Sequence, residues 1–72
     1  MANWKSVLEE KGFTYDPVNE YYKISTGFGR TIVVDQIMKG LFRMTKNDTI
    51  YYDNFISSFD EFKKKVDEIL VL

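Results

Sequence analysis

The sequence contains neither cysteine nor histidine. Within these 72 residues that excludes disulfides, thiolate metal sites and Cys- or His-based nucleophile–base pairs. Proline occurs once, at Pro17, and alanine once, at Ala2. No apolar run approaches the roughly 18 residues that a membrane-crossing helix needs. An excess of one charge is also missing. Lys and Arg number 10, Asp and Glu 11, for a net charge of −1. Such a balance sets up no bulk field favouring nucleic acid or an anionic membrane. The opening Met-Ala-Asn-Trp-Lys has no apolar, signal-like stretch, so the expected location is cytoplasmic.

What the chain has instead is aromatic mass. Six Phe, five Tyr and one Trp make up 17% of it, within a hydrophobic share of 44%. The length allows one domain (1–72), near the lower limit for a core without staples. Each buried aromatic removes about 150–250 Å² from water, so a small core suffices. Residues with AT-rich codons (Phe, Tyr, Met, Ile, Asn, Lys) far outnumber those with GC-rich codons (Gly, Ala, Arg, Pro). That bias points to an AT-rich source, such as a low-GC bacterium, its phage or a mobile element.

Two helices are predicted. Residues 3–11 place Trp4, Val7 and Leu8 on one face, with Asn3 to cap the start and Gly12 to close the end. Residues 58–71 open on Ser58-Phe59-Asp60-Glu61, a capping box, and carry Phe59, Phe62, Val66, Ile69 and Leu70 at helical spacing. Between them lie five stretches that read as strands: 13–16, 20–26, 30–37, 41–45 and 49–54.

Turn chemistry sets the register. A four-residue turn at Pro17–Glu20 puts Tyr15 opposite Tyr22. Gly27-Phe28-Gly29 as a hairpin loop puts Ile24 opposite Ile32. Met38-Lys39-Gly40 puts Val34 opposite Met44, and Lys46-Asn47-Asp48 puts Met44 opposite Ile50. One face then holds Phe13, Tyr15, Tyr22, Ile24, Ile32, Val34, Phe42, Met44, Ile50 and Tyr52. The predicted class is α+β, with order α-β-β-β-β-β-α: an antiparallel meander with both helices packed on one face.

The same register leaves a second face holding Tyr21, Lys23, Val33, Asp35, Ile37, Leu41, Arg43, Tyr51 and Asp53. Arg43 sits between Asp35 and Asp53, and Ile37 faces Leu41. An apolar centre with a charged border has the layout of an interface. The candidate protein-binding residues are therefore Tyr21, Val33, Ile37, Leu41, Arg43 and Tyr51, with Phe28 at a hairpin tip.

No catalytic constellation emerges. The pairs Glu9-Glu10, Asp60-Glu61 and Asp67-Glu68 lie on exposed helix faces, and Arg43 would keep Asp35 and Asp53 ionised. No metal-binding loop is present, and Gly27-x-Gly29 lacks the rest of a phosphate loop. No enzyme activity, cofactor or metal is expected.

Nucleic acid is the rival partner, through Lys39, Arg43 and Lys46. Helix, three strands and helix resembles double-stranded-RNA-binding domains in outline. The extra strands and the missing basic–alanine start of the last helix depart from that pattern. The Lys63–Lys65 triplet has carboxylates at i,i+4 spacing, and the tyrosines of the second face alternate with acids that repel phosphate. The expected function is a small non-catalytic protein-binding module, of the kind a phage or mobile element uses to bind and modulate a host protein. The alternatives are a nucleic-acid-binding protein and a homodimer with stacked sheets.

Overall fold

The computed structural model describes residues 3–27 and 29–72. Asn3 opens α1 (Trp4–Glu10): its side-chain oxygen accepts the Ser6 N–H at 2.9 Å, satisfying a donor the helix leaves free. At the other end Gly12 has φ +98°, the left-handed region that a side chain disfavours. There the Gly12 N–H donates to Glu9 O and the Phe13 N–H to Leu8 O. This paired closure satisfies the last carbonyls and drops Phe13 onto Leu8 in the core.

The second helix, α2 (Phe59–Val71), is capped by Ser58, whose hydroxyl accepts the Glu61 N–H. Its last turn carries no basic residue. Lys46 supplies the charge from the sheet: its ammonium donates to Ile69 O at 3.3 Å and to Leu72 O. A cation there complements the negative end of the helix dipole.

Five strands, β1 (Thr14–Asp16), β2 (Tyr21–Ser25), β3 (Thr31–Met38), β4 (Leu41–Lys46) and β5 (Thr49–Phe55), form one antiparallel sheet in chain order. The element order is the expected one. So are the pairs Tyr15↔Tyr22, Ile24↔Ile32, Tyr22↔Val34, Val34↔Met44 and Asp35↔Arg43.

Two inserted residues break the expected alternation. After Gln36↔Phe42 the next pair is Met38↔Leu41, so Ile37 is a bulge and does not face Leu41. The β4–β5 turn is the two-residue Asn47-Asp48, both at positive φ (53° and 65°), rather than a three-residue loop. Two-residue turns with both centres at positive φ match the twist of the strands they join. They set Thr45 opposite Ile50. A bulge at Tyr51 then brings Tyr52 opposite Met44, Asp53 opposite Arg43 and Asn54 opposite Phe42. Faces from Tyr52 onward are therefore as expected, whereas Ile50 and Tyr51 are exchanged. Ile50 shares the side of Thr45 and is 56% exposed. Tyr51 packs against the core instead.

One hydrophobic cluster joins both helices to the sheet. Val7 and Leu8 from α1 and Phe62, Val66 and Ile69 from α2 meet Tyr22, Ile32, Val34, Phe42 and Met44. These sheet positions define the core side. Aromatic edges bind the layers: Phe42 lies 5.2 Å from Trp4 and 4.9 Å from Phe62, between ring centroids. Offset and edge contacts of this kind add to the burial itself. Tyr15 stays half exposed, although its ring tilts against Tyr22. Ile56 is buried just past β5, with its N–H donating to Gly40 O.

Candidate functional site

The side of the sheet opposite the core positions carries Tyr21, Lys23, Thr31, Val33, Asp35, Leu41, Arg43, Thr45, Ile50, Asp53 and Phe55, and none of them is buried. An ionic row crosses it. The Arg43 Nε donates to Asp53 Oδ2 at 3.3 Å, and Asp35 faces Arg43 from β3. This pair is exposed, so it orients side chains more than it stabilises the fold.

On one side of that row, at the β3–β4 hairpin, apolar groups gather. Leu41 is half-buried and faces both Met38 and Phe55 across its two ladders. Met38 is 56% exposed, Phe55 59% and the bulged Ile37 45%. On the other side a polar concavity of about 520 Å³ is lined by Tyr21, Arg30, Val33, Thr45, Asn47 and Asp48, among others. Asn47 builds its wall: its side chain accepts the Thr31 N–H and its own N–H donates to Thr31 O.

The expected binding residues divide accordingly. Tyr21, Val33, Leu41 and Arg43 stand on this second face, as read from the sequence. Ile37 is near it but bulged, and joins Met38 rather than pairing with Leu41. Tyr51 is not on it. Its hydroxyl donates to Glu68 Oε1 on α2 at 2.6 Å, which holds Glu68 below its ordinary carboxylate range and raises the tyrosine. Phe28 lies outside the described residues. Met38 and Phe55 were missed because each sits one position past a regular alternation, Met38 after a bulge and Phe55 beyond the expected strand end.

The three cations of the nucleic-acid reading do not converge. Arg43 is on the second face against Asp53. Lys46 stands on the core side opposite Ile32 and caps α2. Lys39 lines a different groove with Trp4 and Phe42. In the lysine triplet, Lys65 pairs with Glu68 at i,i+3 rather than with Glu61, and leans over the Tyr52 ring.

Elsewhere, perturbed groups serve structure. Asp16 is lowered to about 2, chiefly by the Asn19 side-chain amide and also by the Asn19 and Val18 backbone N–H groups and Lys23. Burial raises Tyr22. Among the described residues no group of three or more acidic side chains is placed to hold a metal ion, and no helix is long and apolar enough to cross a membrane. Compared with known proteins, the chain matches no family model, no curated protein and no solved structure.

Proposed function

We propose that the chain is a small non-catalytic protein-binding module, docking an apolar patch of another folded protein on the hairpin end of its second sheet face. The observation that carries this is the group of exposed Ile37, Met38 and Phe55 around half-buried Leu41, on a surface bordered by Arg43 and Asp53. Water is a poor neighbour for such a patch, and a charged border around an apolar centre suits an interface. In this reading a phage or mobile element would use the module to occupy a host protein, in keeping with its size and coding bias, and it would act in the cytoplasm.

Charge reversal inside the patch tests it. Met38→Asp and Phe55→Asp alter exposed positions, so thermal midpoints should stay within a few degrees of the parent. A partner captured saturably by the parent from a low-GC bacterial lysate should be lost by both variants. Undiminished capture by both would remove this face as the site. A parent that sediments as a dimer, and variants that sediment as monomers, would make the partner a second copy. Tight, salt-sensitive binding to DNA or RNA that is lost on Arg43→Ala and Lys46→Ala would replace the reading with the nucleic-acid one.

A further inference from the structure

The opposite side of the same hairpin carries a second feature. An apolar groove of about 360 Å³ lies among Trp4, Lys39, Phe42, Ile56, Phe59 and Phe62. Phe42, Ile56 and Phe62 form a buried floor, while Trp4 and Phe59 are only partly covered and stand as walls. Trp4 presents edge contacts to Tyr22, Phe42 and Phe62, which hold the indole in place.

Three lysines stand at this groove. The Lys5 ammonium lies 5.6 Å from the Trp4 ring centroid and the Lys63 ammonium 5.2 Å from that of Phe59. Lys39 lines the groove itself. Contacts with a ring face draw a cation along the aromatic wall. Among the described residues these three lysines form no ion pair, whereas Lys11, Lys23, Arg43 and Lys65 each do. No carboxylate lines the groove, although Asp60 follows Phe59 in sequence. A protein of net charge −1 thus keeps an aromatic groove with three unneutralised cations around it.

We infer that this groove docks an acidic peptide segment of a partner protein, with an apolar side chain seated between Trp4 and Phe59 and flanking carboxylates reaching Lys5, Lys39 and Lys63. Apolar burial supplies the anchor, and the lysines select the sign of its neighbours. This site is distinct from the sheet-face patch and does not depend on it.

Trp4 is the sole tryptophan, so its fluorescence reports occupancy. The probe is a short Trp-free synthetic peptide of Asp and Glu around a central Leu-Phe pair. Two control peptides replace the acids by Lys or the Leu-Phe pair by Ser-Ser. The acidic Leu-Phe peptide should shift the emission saturably, with an affinity that falls as salt rises. Both controls should fail to bind. The exposed substitutions Lys5→Glu, Lys39→Glu and Lys63→Glu together should weaken binding about tenfold or more, with Lys39→Glu alone giving a smaller loss and an unchanged melt. The inference is overturned if the acidic peptide gives no saturable shift, if the lysine peptide binds equally well, or if the triple variant binds like the parent. Preferential capture of a single-stranded oligonucleotide by the same lysines would also overturn it.

Discussion

Asp16 shows how much local structure one side chain can organise. Its Oδ1 accepts the backbone N–H groups of Val18 and Asn19, its Oδ2 accepts from the Asn19 amide and from Lys23, and its own carbonyl receives the Glu20 N–H. The residues after Pro17 are thereby folded into the turn that starts the meander. These donors favour the ionised carboxylate, so the folded-state value near 2 lies below the ordinary 3.8. A group lowered in the folded state contributes stability above its unfolded value and loses it as pH falls toward the folded one. Thermal midpoints of the native protein should therefore drop more steeply between about pH 4 and pH 2 than those of Asp16→Asn. Parallel acid dependences for the two proteins would show that the carboxylate's charge plays no part in holding the turn.

At the level of elements, the β4–β5 hairpin decides the most. Its two turn residues both adopt positive φ, which suits Asn47 tolerably and Asp48 less well. Glycine at the second position gives the pair most favoured for this turn. Glycine relieves roughly 1–2 kcal/mol of left-handed strain and adds roughly 0.5–1 kcal/mol of unfolded-chain entropy, so Asp48→Gly should stabilise the protein by about 0.5–1 kcal/mol, measured by urea unfolding. A destabilisation of that size would argue against the two-residue turn. The compensating bulge swings Tyr51 to α2, where Glu68 receives it, and leaves Ile50 outward. A neighbouring element completes α2 as well. Lys46, one residue before the turn, closes the C-terminal end of that helix. A single hairpin therefore positions both the edge of the sheet and the end of the helix above it.

For the molecule as a whole, stability and the proposed binding rest on different residues. Phe62 is almost fully buried and touches the rings of both Trp4 and Phe42. Phe62→Ala should cost about 3–5 kcal/mol, a large share of what a domain this small has, and chemical denaturation will measure it. A loss under about 1 kcal/mol would mean that the layers are held together some other way. By contrast, the exposed groups of the two proposed surfaces, Met38 and Phe55 on one side and Lys5, Lys39 and Lys63 on the other, contribute little to folding. The β3–β4 hairpin stands between these surfaces. Gly40 lines the groove, and a side chain there would also contact Phe55 on the far side.

The sequence by itself determined the class, the element order, the two helix caps, the registers of the first two hairpins and that of the third as far as Gln36↔Phe42, because those depend on local turn chemistry and on spacing within one element. Asn3, Gly12, Ser58 and the Pro17–Glu20 turn act on their immediate neighbours, and the alternation that starts at Tyr22 runs unbroken through β2 and β3 as far as Gln36. Only the tertiary structure decided where single residues are inserted. A bulge has no turn signature of its own: it arises when a strand must satisfy its turn, its ladder and a packing partner together. For Tyr51 that partner is Glu68, 17 residues away on α2. The same holds for the two proposed surfaces. Met38 and Phe55 meet only through Leu41 between them, and the lysines around Trp4 and Phe59 come from three separate elements. Charge spacing along the chain grouped Lys39 with Arg43 and Lys46, and the opposite sides of the sheet separate them.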